Sequence, residues 1–443
     1  MKPATGYDLP KIKTNIPGPK SKRLARQLFR YECPNITSPS PIFWERTKGA
    51  NVTDVDGNRY VDLTGGFAVA NAGHSNPKII HLLIQQAQKL SHSLGDVHPA
   101  QIKVELLQAL SRTFPEPRAK TFLACSGSEA VEIALKTAFL FTGKPGVIAF
   151  QGAYHGLTYG ALSVTSMLEF NTPFKSQMNL HTYHVPYPTS YPKVVRDESI
   201  LENIESLIRN KPIGAILIEP IQGRGGIRIA PFSFLKSLRK LCTEHKLALI
   251  VDEIFSGAGR TGKFFAFEHS GIVPDLVTLG KGLSGGFPIS ACIGTSKIMA
   301  AWPRHHGEAL HTSTFMGNPM GCAMALASLT EIYRGKLDQK AKNLGEQWLK
   351  KLTLFKEQIE CVGDIRGLGL MIGIEIVEKK VTAKADTLKA RRIAENLLKR
   401  GLILLSDGVE GNVLSITPPL TITQRQMNYS AEIIEKCLRK LKI

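Results

Sequence analysis

Lys281 is the residue through which chemistry could enter this chain. It lies in TLGKGLSGGFPISA (278–291), just past an apolar run, DLVTL (275–279), that reads as a buried strand. Glycines around it leave room for a bulky group close to the backbone. Strand ends in an α/β sheet are also where ligands bind. A lysine there could form an imine with a carbonyl cofactor, provided desolvation or nearby positive charge lowers its pKa from about 10.4. Taken alone, the plainer reading is a solvated loop lysine.

Three more strand ends carry reactive residue types. SGSEA (126–130) follows the apolar TFLAC (121–125) and opens a helix. Gly127 and Ser128 would sit at that helix N-terminus, where free N–H groups and the dipole favour an anion; an ordinary serine cap is the alternative. AYHG (153–156) follows GVIAF, and Tyr154 and His155 could offer a flat face to a planar ligand. VDEIFSGAGRTGKF (251–264) follows LALIV, so Asp252 ends a buried run. A carboxylate there needs a cation or several hydrogen bonds. The protonated nitrogen of a pyridine ring would serve, and so would Arg260 nearby. One strand–helix–strand step separates Asp252 from Lys281, which predicts neighbouring strand ends. Anion turn, flat aromatic, buried acid and amine are the set that pyridoxal phosphate needs.

The elements that must position these residues alternate. TFLAC, GVIAF, AILIE, LALIVD, DLVTL and ISACIG read as short buried strands. SEAVEIALKTAFLF (128–141) and FSFLKSLRKLCTEH (232–245) have helical periodicity. The pattern predicts an α/β fold with a mostly parallel sheet covered on both faces. NVTDVDGNRYVDL (51–63) alternates about Asp56-Gly57, a hairpin signal. After Pro319 the pattern changes to a helix (about 319–334), a charged helical stretch, and the strands MIGIEIV (371–377) and NVLSI (412–416). A helix over 384–400 and a final amphipathic helix complete it. The expected division is a large domain, 84–335, and a smaller discontinuous α+β domain, 1–83 with 336–443.

Bulk properties exclude several classes. The chain has 443 residues, 43% hydrophobic and 21% charged, ordinary for a globular enzyme of more than one domain. No apolar stretch is long enough to span a bilayer. The N-terminal MKPATGYDLPKIKTNIPGPKSKR is basic but lacks an apolar core, so it reads as an extended arm and not a secretory signal. Seven scattered cysteines without a CxxC pair suggest neither a disulfide framework nor a metal site, and reduced thiols in a cytoplasmic protein are expected. The net charge of +19 raises nucleic-acid binding as a remote alternative, but the basic residues are spread out and no aromatic-interleaved basic block exists.

On these motifs the chain resembles the class III aminotransferases of the fold-type I pyridoxal-phosphate family, the group of 4-aminobutyrate and ornithine aminotransferases. The matching stretches span nearly the whole chain: DVDGNRYVDLTGGFAVANAGHSNP, SGSEAVEIALK, YHG, EPIQGRGG, VDEIFSGAGRTG, PDLVTLGKGLSGGFP, STFMGNP and PPLTIT. The resemblance implies an aminotransferase that moves an amino group from an amine or amino acid to a keto acid by a ping-pong mechanism. It implies pyridoxal 5′-phosphate held on Lys281 as a Schiff base, with Asp252 at the pyridine nitrogen and Gly127 and Ser128 on the phosphate. Tyr154 would stack on one ring face and Ile254 on the other, with His155 and Glu219 close by. Thr314 would reach the partner subunit's cofactor in a homodimer with shared sites. Phe67 and Arg224 are candidate substrate contacts. No metal, membrane or nucleic-acid partner is implied. A racemase or epimerase on the same scaffold is the closest alternative.

Four positions depart from the family pattern. Phe255 stands where many relatives carry a glutamine that hydrogen-bonds the cofactor ring oxygen. Leu157 stands where the 4-aminobutyrate and ornithine enzymes place a carboxylate-gripping arginine. Arg224 and Ser415 replace a glutamate and an arginine that pair with each other in those enzymes. These departures predict a poor 4-aminobutyrate transaminase acting on a less acidic or more apolar amine.

Overall fold

The computed structural model describes residues 5–34, 41–179, 181–303 and 307–440. Three strands come first: β1 (Trp44–Lys48), β2 (Asn51–Asp54) and β3 (Arg59–Asp62). β4 (Lys120–Ala124), β5 (Gly146–Phe150), β6 (Thr182–Val185) and β7 (Ile213–Ile218) follow. A short ribbon, β8 (Ile221–Gln222) and β9 (Arg228–Ile229), precedes β10 (Ala248–Asp252), β11 (Leu276–Leu279) and β12 (Ser290–Gly294). The last strands are β13 (Val362–Leu368), β14 (Met371–Ile376), β15 (Leu402–Ile403), β16 (Leu405–Asp407) and β17 (Val413–Ile416).

The central sheet has seven strands in the order β4-β12-β11-β10-β7-β5-β6. All its neighbours pair in parallel except β12, which runs antiparallel to both β11 and β4. The expected mostly parallel sheet is therefore present, with ISACIG as its one reversed strand. β7 and β10 are buried at every position, as strands covered on both faces must be. Helix Gly127–Thr142 packs on one face through Ala130, Val131, Ile133, Ala134 and Ala138. Helix Phe232–Glu244 contributes Phe234, Leu235, Leu238 and Leu241 to the larger core cluster.

The β2–β3 hairpin forms as its Asp-Gly signal predicts, and β15 adds in parallel to β3. That pairing joins segments from opposite ends of the chain. A separate four-stranded sheet, β13-β14-β17-β16, is antiparallel throughout. The final helix, Gln424–Lys440, buries Met427, Ala431, Ile434 and Leu438.

Two expectations are corrected. The N-terminal stretch is not extended throughout: a helix, Pro19–Tyr31, begins within it. Pro19 presets φ at the first helical position. The Asp56 carboxylate of the hairpin turn then accepts from the N–H groups of Lys20 (2.8 Å) and Ser21 (3.0 Å), capping that helix from a distance. Residues 1–4 of the stretch lie outside the described residues. The connection from β10 to β11 also contains no full helix, only a single 3-10 turn, Ala266–His269. Asp252 and Lys281 reach neighbouring strand ends regardless, because β10 and β11 pair directly with Asp252 opposite Thr278.

Candidate active site

At the C-terminal edge of the central sheet, a cavity of about 340 Å³ is lined by Gly127, Ser128, Tyr154, His155, Glu219, Arg224, Asp252, Ile254 and Lys281. Gly156, Leu157 and Phe255 complete its wall. The four strand-end motifs thus converge on one space, as a crevice at the ends of parallel strands requires.

Asp252 closes β10 and is 4% exposed. Its Oδ1 accepts from the Thr278 hydroxyl on β11 (2.8 Å) and from the Ile254 N–H (3.0 Å). Its Oδ2 pairs with Nδ1 of the buried His155 at 2.7 Å. Burial disfavours the imidazolium, but the bond and charge of Asp252 overcome it and raise the His155 pKa. The Asp252 carboxylate thus favours the imidazolium form of His155. Arg260, the alternative partner, is engaged elsewhere: it donates to the Asn71 side chain and to the Leu370 and Pro418 carbonyls.

Lys281 follows β11 with φ +41°, a left-handed conformation that costs a non-glycine residue about 1–3 kcal/mol. Burial in the cavity lowers its amine to about 8, against the opposing pull of Asp252 and Glu219 and with help from Arg224. Near neutrality roughly one amine in ten is then unprotonated, against fewer than one in a thousand for a free lysine. Nζ lies 4.4 Å from the centre of the Phe255 ring, a cation–π contact.

Glu219 ties two loops together. Its Oε1 accepts from the Tyr154 N–H and its Oε2 from the Gly223 N–H, both at 3.0 Å. Burial raises its pKa to about 7, although His155 draws it down. The side chain therefore sets the spacing between the aromatic loop and the loop that bears Arg224.

The other end of the cavity is an anion cradle. Ser126 caps helix Gly127–Thr142 by accepting from the Glu129 N–H, leaving the N–H groups of Gly127 and Ser128 at the cavity. Gly156 has φ +122° and presses on Ser128; a Cβ there would come within 2.7 Å of the Ser128 Cβ. Only glycine permits that approach. Ile254 packs over Gly127 in the same way, with a hypothetical Cβ 2.7 Å from its Cδ1.

A family model for aminotransferase class III matches residues 34–438. The chain belongs to the class III aminotransferases. The 4-aminobutyrate aminotransferase of Escherichia coli is 39% identical over 411 residues, covering 91% of this chain and 94% of that one. The alanine/serine racemase of Pyrococcus horikoshii is 34% identical over 448 residues, 98% of this chain and 93% of its own. An amine transaminase from an uncultivated Pseudomonas species, solved with pyridoxal phosphate bound, superposes with a TM-score of 0.85 at 27% identity, over 93% of this chain and 97% of that one.

This class III aminotransferase uses pyridoxal 5′-phosphate, and its residues fit that group. The helix N-terminus supplies N–H donors for a phosphate. Tyr154, Ile254 and Asp252 line the same cavity as the cradle and the lysine, and the Asp252 carboxylate, bonded to His155, is a group that would suit a protonated ring nitrogen. Two candidates lie elsewhere. Thr314 is exposed and Phe67 is 61% exposed at φ +61°, and neither lines the cavity of the single chain.

Two contacts were not legible from motifs. Phe170, on the short helix Leu168–Asn171, brings its ring centre within 5.1 Å of the Arg224 guanidinium carbon. Asp407, at the end of β16, has its pKa raised by burial, an effect that the charges of Arg224 and Lys281 partly offset. The Asp407-Gly408 dipeptide carried a turn signal but nothing in its neighbours pointed to the cavity.

Proposed function

We propose that this aminotransferase takes a donor amine with a weakly acidic or apolar body and a carboxylate-bearing keto acid acceptor, with Arg224 as the carboxylate grip. The carrying observation is the state of Arg224. Its guanidinium carbon sits 5.0 Å from the centre of Tyr154 and 5.1 Å from that of Phe170. Its Nε is buried and has no hydrogen-bond partner among the described residues. A guanidinium fixed by two rings and short of an acceptor is prepared for a carboxylate, which it binds as a fork. Leu157 lies at the cavity wall, half-exposed, where it offers apolar contact and no charge.

The proposed roles follow from position. When bound, pyridoxal phosphate supplies an aldehyde for the amine and a ring that accepts electron density from the substrate carbon. Gly127 and Ser128 would hold its phosphate, and Tyr154 and Ile254 would flank its ring. Asp252, backed by His155, keeps the ring nitrogen protonated. Lys281 would hold the cofactor through its neutral amine, and the same amine would take and return the proton at the reacting carbon. Glu219 fixes the distance between Tyr154 and Arg224. We further propose a cytoplasmic homodimer, in which exposed Thr314 and Phe67 of one subunit face the site of the other.

A donor panel tests this reading. Apolar amines or amino acids with pyruvate should exceed 4-aminobutyrate with 2-oxoglutarate in kcat/KM, and Arg224→Ala should raise KM for the keto acid about tenfold or more. A clear preference for 4-aminobutyrate with 2-oxoglutarate would refute it. Formation of a new amino acid from the keto acid separates transamination from racemisation.

A further inference from the structure

The loop that carries Arg224 is fastened to the loop that carries Asp407. The Gly408 N–H donates to the Arg224 carbonyl at 2.9 Å. The backbones are in close contact as well: a Cβ on Gly226 would lie 3.2 Å from the Gly408 Cα and 2.9 Å from Val413. Side chains 224 and 407 therefore leave backbones that cannot drift apart. Within the β16–β17 pair, Leu405 stands opposite Ser415 and Asp407 opposite Val413. Asp407 and Ser415 are thus diagonal neighbours on one face. Ser415 thus stands beside the Asp407 carboxyl and helps to lower its pKa. Among the described residues no ion pair joins Asp407 to Arg224, so the two charges act on each other without locking together.

A carboxylate-free donor creates a problem that this arrangement answers. Its apolar body removes water from around Arg224, and a guanidinium stripped of water without a nearby anion costs several kcal/mol. A keto acid brings its own carboxylate and creates no such problem. One cavity must serve both in turn, because the two substrates of an aminotransferase bind to the same site.

We propose that Asp407 is a specificity-determining residue, the resident counter-charge of Arg224, which offsets the guanidinium while a carboxylate-free amine is bound and yields it to the carboxylate of the keto acid. The inference rests on the reading of Arg224 as the carboxylate grip. Asp407 touches neither the reacting carbon nor the amine; it acts through Arg224 and sets the balance between donor and acceptor.

The test combines a binding measurement with a kinetic split, on the cofactor-loaded enzyme. Butyrate, which has a carboxylate but no reacting group, is titrated by calorimetry into wild type, Asp407→Asn, Asp407→Glu and Arg224→Ala. Removing the competing anion should tighten butyrate about tenfold in Asp407→Asn, while Asp407→Glu should stay near wild type. In steady-state assays Asp407→Asn should lower KM for pyruvate and raise KM for butylamine, moving the two in opposite directions. Ser415→Ala, which removes only a polar neighbour of Asp407, should shift the two KM values in the same opposite directions by a smaller factor and serves if Asp407→Asn folds poorly. Unchanged or weaker butyrate binding in Asp407→Asn overturns the inference. If Arg224→Ala leaves butyrate binding intact, the grip itself is elsewhere and both readings fall. If Arg224→Ala weakens butyrate but Asp407→Asn does not strengthen it, only the role of Asp407 falls.

Discussion

Replacing Asp252 by asparagine removes one charge and almost no volume, so its effect can be worked from the contacts. The asparagine carbonyl can keep the bonds from the Thr278 hydroxyl and the Ile254 N–H, which both reach Oδ1. The amide nitrogen then replaces Oδ2, 2.7 Å from His155 Nδ1. Two donors would face each other there unless His155 gives up its Nδ1 proton. The neutral ring would then keep its proton on Nε2, which is buried without a partner among the described residues, and would turn Nδ1 into an acceptor for the new amide. The substitution thus neutralises the acid that faces the ring nitrogen and disrupts the imidazolium behind it. Breaking a buried charge pair by removing one partner costs about 3–5 kcal/mol, which taken as a barrier is roughly 10²- to 10⁴-fold in rate. The phosphate cradle and Lys281 are untouched, so cofactor should still bind. A single-turnover experiment with amine donor and no acceptor, followed through the visible band of the bound cofactor, isolates the affected step. Thermal melting should show the variant folded. An Asp252→Asn enzyme that turns over within threefold of wild type would refute the assigned role.

Borohydride should fix the cofactor to Lys281 in the wild type, and peptide mapping that finds the label on another lysine would contradict the site; Lys281→Ala should abolish turnover yet retain cofactor through the phosphate cradle. Because the Lys281 amine is lowered to about 8 and only the neutral form attacks an aldehyde, the rate of cofactor capture by the apoenzyme should climb with pH and level off above about 8. A midpoint near 10 would mean that the amine is not desolvated. The Phe255 ring under Nζ favours the ammonium by about 0.5–1 kcal/mol, so Phe255→Leu should move that midpoint down by about half a unit. Phe255→Gln should shift the pH titration of the visible band, since glutamine restores a hydrogen-bond donor that phenylalanine lacks, and identical titrations of the two proteins would exclude this.

The central sheet was legible because its strands are short unbroken apolar runs bounded by glycine, serine or a single charged residue. LALIVD and DLVTL needed no tertiary information to be read as buried neighbours. The reversed direction of β12 was not legible, because a strand buried on both faces has the same composition whichever way it runs. The helix at Pro19 was missed for a different reason: its cap is the Asp56 carboxylate, contributed by a turn far along the chain. The proposed discontinuous small domain draws support from the β3–β15 pairing, which no local pattern could foretell.

The site divides along the same line. Lys281, Asp252, Gly127 and Tyr154 follow strand ends, so strand order alone delivers them to one edge. Arg224 was legible as a departure from pattern and as a candidate substrate contact, but the sequence alone did not separate that reading from a surface arginine in a glycine-rich loop. What distinguishes it is its surroundings: Tyr154 from one loop, Phe170 from a short helix and Asp407 from the end of β16. These are separate segments with no shared motif. The cofactor end of the cavity is therefore built from residues whose placement follows from the sheet, and the substrate end from residues whose placement follows from how loops pack on one another. Loop packing tolerates exchange of charge between positions far more readily than a strand end tolerates loss of its lysine or acid. A glutamate and an arginine in relatives can thus give way to an arginine and a serine here, with Asp407 supplying the negative charge from a third position, while the reacting groups stay the same.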